Sequence, residues 1–316
     1  MRTYIVYRFL LAIPTLVGVS ILAFLTIHLI PGNIVEVMLG TRTDVTPQQI
    51  AALNRLYGIN VPLWQQYATW VVNIMHSDLG FSLRTGLPVT ALLGPALGVT
   101  AELTALSVLL ALVLSIPVGV WSATRRNSVG DAASRTLGLL GLSLPAFWVG
   151  TLLILLASLY APWLSAFGFV SFFQDPARNL ATMILPACTL SMGLAAIIMR
   201  MTRAAMLDIL RKDYLRTARA KGLSGARVVA THALRNALLP VITTVGLQIG
   251  YLLGGAVIIE NVFTLPGVGR LVVQAIQQRD YPLVQSVVLV VAALAVLINL
   301  MVDLVYAWAD PRIRYS

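Results

Sequence analysis

The sequence predicts an all-α, polytopic membrane protein with six transmembrane helices, on three observations. Hydrophobic residues make up 58% of the 316-residue chain and charged residues only 11%, against about 45–50% and about 25% in soluble domains. With a mean hydropathy of +0.86, there is too little polar surface to cover a water-soluble particle, and disorder is excluded for the same reason. The apolar residues also fall into runs near the ~20 residues that one helical span requires. Finally, Lys and Arg collect in alternate loops, as the positive-inside rule expects of a multi-pass chain.

The elements follow in order. The first run, Phe9 to Ile30, stands behind Arg2 and Arg8 and ends at Ile30-Pro31-Gly32. A cleaved signal peptide has a shorter apolar core and a small-residue cleavage site, so residues 1–30 read as a short tail and an uncleaved first span. Residues 31–98 form an external lobe. In it, Thr46-Pro47-Gln48-Gln49 reads as a capping box with Pro at the first helical position, opening a helix that runs to Tyr57 and stops at Gly58. A second helix follows near Pro62–His76, with Leu63, Tyr67, Trp70, Val71 and Ile74 at helical spacing. Such a lobe either packs on its own spans or meets a partner. The core, 99–308, holds the runs Val99–Trp121, Thr136–Tyr160, Ala181–Met201, Pro240–Ile259 and Leu283–Trp308, and 309–316 is a tail. The fourth run is the weakest, because Pro186 and several small residues interrupt it.

With the N-terminus in the cytoplasm, only Arg42, Arg55, Arg84, Arg178, Arg270 and Arg279 of the 22 Lys and Arg fall outside. Both termini are therefore expected inside. The net charge of +10 could suggest nucleic acid, but in so apolar a chain topology explains it better, and no nucleic-acid partner is expected. Cys188, the single cysteine, rules out a disulfide within the chain and CxxC zinc or redox sites.

The cytoplasmic loop 201–239 is the most informative stretch. Leu207, Leu210, Tyr214 and Ala218 share one helical face, and Lys212, Arg216 and Arg219 another. Gly222 is a natural C-cap and Ser224 a plausible N-cap for the next helix, which runs into the fifth span at Pro240. A basic amphipathic loop can lie on anionic lipid. A helix, a tight Gly turn and a second helix can instead form a stiff knob that docks into a groove on a soluble partner and transmits force.

Here the chain resembles a known family, the permease subunits of the dipeptide/oligopeptide class of ATP-binding-cassette importers. The resemblance rests on Asp213-Tyr214-Leu215-Arg216-Thr217-Ala218-Arg219-Ala220-Lys221-Gly222 and on His232-Ala233-Leu234-Arg235-Asn236-Ala237-Leu238-Leu239-Pro240. Further matching stretches are Tyr57-Gly58-Ile59-Asn60-Val61-Pro62, Asp78-Leu79-Gly80-Phe81-Ser82, Glu260 through Phe263 and Pro266-Gly267-Val268-Gly269-Arg270, and Arg279-Asp280-Tyr281-Pro282. The wider superfamily carries a Glu-Ala-Ala triplet ahead of the loop glycine, where this chain has Arg216, Thr217 and Ala218, and a Leu-Pro where it has Leu234-Arg235. The peptide class expects both departures.

The resemblance implies a type I ABC importer permease fold with a coupling helix. It also implies a transporter of two homologous permeases, two ABC ATPases and an extracytoplasmic substrate-binding protein in a prokaryotic inner membrane, with ATP and Mg bound by the partner ATPases and no cofactor or metal in this chain. It assigns ATPase coupling to Asp213, Tyr214, Arg216, Thr217, Ala218, Arg219, Ala220, Lys221, Gly222, His232, Arg235 and Asn236. The cargo would be di- or oligopeptides, with glutathione or nickel chelates as alternatives.

The residues themselves agree with a non-enzymatic role. The chain has no Gly-x-x-x-x-Gly-Lys-Ser/Thr phosphate loop, and no Ser/His/Asp or HExxH grouping stands out. His28, His76 and His232 fall in separate segments. An intramembrane enzyme is the remote alternative. Ionisable or polar groups in spans are costly and often functional; Glu102, Gln248, Asn299 and Asp303 are of this kind. Gln248 sits among Gly246, Gly250, Gly254 and Gly255, where small residues suit close helix packing and pathway walls equally. Gln248, Glu260, Phe263, Pro266, Gly267 and Gly269 are the pathway or gate candidates. Of these, Pro266, Gly267 and Gly269 are expected to form a turn before a short helix, whether connector or gate.

Overall fold

The computed structural model describes residues 2–28, 61–164 and 168–309. The capping-box helix expected at 46–57 lies outside them. Within them the chain is helical: α1 (Arg2–His28), α2 (Leu63–Met75), α3 (Val89–Thr124), α4 (Val129–Ser143), α5 (Ala146–Tyr160), α6 (Pro176–Leu210), α7 (Asp213–Ala220), α8 (Gly225–Val262), α9 (Val268–Gln277) and α10 (Tyr281–Ala309). No strand forms among the described residues; one isolated bridge joins Phe81 to Pro88. By length and composition α3, α6, α8 and α10 are long and apolar enough to cross a bilayer. The pair α4–α5 adds a fifth crossing if counted as one, and α1 carries a shorter apolar stretch, Leu10–Leu25.

Two compact units divide the chain. One holds Val99–Gly269 and the chain from Leu297 onward; the other holds Arg2–Gly98 and Arg270–Val296.

In the first unit α6 is the central element. Asp175 caps it by accepting the backbone N–H of Arg178 at 3.0 Å, and Pro176 takes the first position, where a missing N–H costs nothing. Met183, Ala187, Leu190, Leu194 and Ile198 of α6 pack with Val99, Leu103 and Ala111 of α3 and with Val241, Leu252, Ala256 and Ile259 of α8. The run that reads weakest in the sequence is thus the most buried: 61% of its apolar window is covered by the chain, against 33% or less for the other long spans. Its small residues are what let neighbouring helices approach on several sides.

The third apolar run does not form one straight helix. It is split into α4 and α5, which meet at 102°. Leu144 adopts φ −83, ψ 130 ahead of Pro145, because a proline ring clashes with an α-helical residue before it. The helix expected to carry Leu207 through Ala218 on one face is likewise broken, at Arg211–Lys212. Asp213 opens α7, where a carboxylate favours a helix N-terminus.

In the second unit Tyr67 and Trp70 of α2 pack on Phe24 of α1, with centroids 5.4 and 6.2 Å apart. The Tyr67 hydroxyl and Ser20 Oγ share a 2.7 Å hydrogen bond. The segments 78–88 and 278–286 are laced together. Buried Asp280 accepts from Ser82 Oγ and from the Leu83 N–H, Arg84 Nε donates to the Gln278 carbonyl at 2.8 Å, and Ser286 Oγ donates to the Leu79 carbonyl at 2.9 Å. The family-like stretches Asp78–Ser82 and Arg279–Pro282 are one structure.

Candidate functional site

Two clusters of candidate residues lie in the first unit. The first is built on α7. Leu215 is fully buried among Met206, Ala123, Val228, Ala233 and Ala237, with Ala218 and Leu223 packed against them. One side of this short helix is therefore fastened to α3, α6 and α8. The other side is open: the side chains of Asp213 and Arg216 are 92% and 77% exposed, with Arg216 Nη1 at 3.4 Å from Asp213 Oδ1. An ion pair so exposed contributes little to stability. Thr217 Oγ1 donates to the Asp213 carbonyl at 3.3 Å, and Ala220 and Lys221 are exposed. The side chain of Arg219 lies outside the described residues.

Gly222 ends α7 at φ +84, and the Leu223 N–H reaches back to the Ala218 carbonyl at 3.4 Å, as in a Schellman ending. Ser224 does occupy the N-cap of the next helix, at φ −60, ψ 145, but its side chain makes no capping bond; its carbonyl accepts the Val228 N–H at 3.0 Å. The helix continues from there through Pro240.

One feature of α8 escapes sequence reasoning: Val228–Ala233 is a π-helical segment, a geometry often found at functional positions. It contains His232, whose carbonyl accepts Asn236 Nδ2 at 3.0 Å and the Tyr214 hydroxyl at 3.5 Å. Asn236 Nδ2 also donates to the Tyr214 oxygen at 3.1 Å. Tyr214, His232 and Asn236, read from two motifs, are thus brought together and tie α7 to α8. Arg235 is exposed beside them.

The second cluster is the turn from α8 into α9. Glu260 is fully buried. Its Oε1 accepts Thr100 Oγ1 at 2.6 Å and its Oε2 accepts the Gly269 N–H at 2.7 Å, while Thr100 Oγ1 accepts the Val268 N–H at 2.9 Å. A Cβ on Gly267 would lie 2.2 Å from the Glu260 carboxyl carbon, and one on Gly269 2.3 Å from Cα of Val257. Both glycines are dictated by close approach. Phe263 is half-buried against the core and beside Gly150, and Pro266 is exposed. Glu260, Phe263, Gly267 and Gly269 therefore pack together where α8 passes through a turn into α9. Gln248 lies apart from it, half-buried on α8. Near Gln248, Gly246 meets Val302 of α10 so closely that a Cβ would lie 2.2 Å from it.

A third group was not singled out from the sequence. Asp131 at the start of α4 pairs with Arg203 of α6. The signal was its isolation, as the only acidic residue between Glu102 and Asp175. Nothing local identified Arg203 or Thr100 as the partners of buried carboxylates.

This architecture of helices around α6, with an exposed α7 and the Glu260 turn, can be set beside known proteins. Residues 115–315 match the family described as the binding-protein-dependent transport system inner membrane component, and residues 1–104 match the N-terminal region of such membrane components. The chain belongs to this permease family. Similar proteins include the dipeptide transport system permease of Escherichia coli K12, 42% identical over 339 residues, and the di/tripeptide transport system permease of Pseudomonas aeruginosa, 44% identical over 340 residues. A glutathione transport system permease of E. coli is 40% identical over 316 residues. Each alignment covers 100% of both chains. The permease is thus a multi-pass inner-membrane transport subunit of an ABC importer and not itself an enzyme.

Proposed function

We propose that this permease forms, with a second homologous permease, the pathway through which di- or oligopeptides delivered by an external binding protein cross the membrane. Two ATPase chains, which hold the ATP and Mg, drive the cycle. Residues 201–239 and both termini face the cytoplasm, and α7 docks on an ATPase. The observation that carries this reading is the two-sided character of α7: Leu215 is sunk in the permease, while Asp213, Arg216 and Lys221 project from it. A helix held on one side and bare on the other suits the transfer of motion from a soluble partner.

ATP favours one arrangement of the ATPases, and α7 passes that preference to the spans. The shift in population is limited by the difference in binding between the two states, and alternating access follows as rigid-body movement about the pathway. Peptide is the cargo most supported by the names of the similar permeases, and the glutathione permease supports a second reading. Uptake into proteoliposomes holding the whole transporter separates the two. Labelled dipeptide with its loaded binding protein should be imported only with ATP, and excess glutathione should not compete. A cysteine at Arg216 should crosslink to the ATPase. ATP-independent uptake, or crosslinking of that cysteine from the external face of intact cells, would overturn the reading.

A further inference from the structure

Asp131 is buried with both carboxylate oxygens occupied. Oδ1 accepts Ser122 Oγ at 2.6 Å and Arg203 Nε at 2.7 Å; Oδ2 accepts Arg203 Nη2 at 2.9 Å and the Asn127 N–H at 3.0 Å. Ser122 lies at the end of α3, Asp131 in the first turn of α4, and Arg203 about two turns before the end of α6. One two-pronged ion pair therefore fastens three helices at a single level. A guanidinium fork on a carboxylate fixes orientation as well as distance. The turn between α3 and α4 is closed further by the Trp121 ring, which lies on Gly130 where a Cβ would meet it at 2.0 Å.

Met206 follows Arg203 by one helical turn. It is fully buried and sits in the same cluster as Ala123 of α3 and Leu215 of α7. Leu215, Met206, Arg203 and Asp131 thus form a contiguous series that starts at the exposed α7 and ends at α4, the first arm of the bent α4–α5 pair. Apolar contacts alone can slide past one another; the forked pair cannot without losing two charge-assisted bonds. Such a pair is weak support for stability in itself, so its geometry calls for a role.

We infer that Arg203 and Asp131 are positioning residues for coupling. They make α7, the end of α6 and the start of α4 move as one body. A displacement of α7 then reaches the bent pair instead of being absorbed in the α3–α4 turn. The inference rests on the reading of α7 as the ATPase-docking element.

The test uses the assembled transporter with Cys188→Ser and spin labels on cysteines at Val129, which is 88% exposed, and at exposed Lys212. The distance between labels is read without nucleotide and with ADP trapped by vanadate after ATP hydrolysis. With the pair intact the distance should be the same in both states. In Asp131→Asn the distribution should broaden, and peptide moved per ATP hydrolysed should fall about tenfold, the scale on which mutations along a physical network alter coupling. Arg203→Lys keeps the charge but not the fork and should show the same change to a smaller degree; it carries the test if Asp131→Asn does not assemble. A distance that changes between states with the pair intact would overturn the inference, as would unaltered transport per ATP in Arg203→Lys. Failure of the functional reading shows separately, as absence of ATP-driven peptide uptake by the unsubstituted transporter.

Discussion

Gly269 donates its backbone N–H to Oε2 of Glu260 at 2.7 Å, across a turn that has no room for a Cβ at Gly267. The acid and the two glycines of this motif are therefore one device: a buried carboxylate is admitted only because backbone and hydroxyl donors surround it, and the donors reach it only because side chains are missing. Glu260→Gln leaves the Gly269 N–H or Thr100 hydroxyl facing an amide N–H, and an unsatisfied buried group costs about 1–3 kcal/mol. Gly267→Ala should cost more, since the new methyl must displace the carboxyl itself. Thermal unfolding of the purified transporter should show a lowered midpoint for Glu260→Gln and a further fall for Gly267→Ala. Unchanged midpoints would mean that the turn is held elsewhere.

Leu215 is the anchor of α7. Leu215→Ala removes a fully buried side chain from a cluster of small and apolar neighbours, a loss of about 2–5 kcal/mol in packed interiors. The local loss should loosen α7 while the spans stay folded. The expected result is a chain found in the membrane at normal level from which the ATPases no longer co-purify. Normal co-purification would show that α7 docks without this anchor.

Gly222 separates conformational from steric demand. A Cβ there would meet nothing within 4 Å, yet φ is +84. Gly222→Val should therefore fail through backbone strain, at about 1–2 kcal/mol for the left-handed region, whereas Gly222→Asn should be tolerated. ATP-driven uptake measured for both variants should fall for Val and stay near normal for Asn. Equal loss in both would point to a surface that tolerates no side chain at all.

Gly246 makes the opposite case. Its φ is ordinary, and Val302 Cγ1 would lie 2.2 Å from an added Cβ. Gly246→Ala should lower stability by about 1–3 kcal/mol, as overpacking does, and Val302→Ala should restore part of it. A double-mutant cycle on the thermal midpoint measures the coupling; simple additivity would mean that the two helices part at no cost.

The readings that held across sequence and structure are those carried by local chemistry. The helix over 62–76, the stop at Gly222, the N-cap position of Ser224 and the turn at Pro266 and Gly267 all depend on residues within a few positions of one another, while Gly269, expected in that turn, already belongs to α9. The break at Pro145 is equally local, although the apolar run Thr136–Tyr160 reads straight through it. Ser224 shows the limit of such signals: the residue takes its place without using its hydroxyl.

Composition, hydropathy and the order of Lys and Arg determined by themselves that this is a helical membrane protein. The stretches from Asp213 to Asn236 and from Glu260 to Gly269 carried its likeness to importer permeases. Only the tertiary structure decided which groups satisfy Asp131 and Glu260, why α6 with its proline and small residues lies at the centre, and which side of α7 is left bare. The physical reason is one of range. Helix periodicity, capping and φ preference act over one or two turns, whereas a buried carboxylate takes its donors from wherever the fold brings them, 72 residues away for Asp131 and Arg203 and 160 for Thr100 and Glu260.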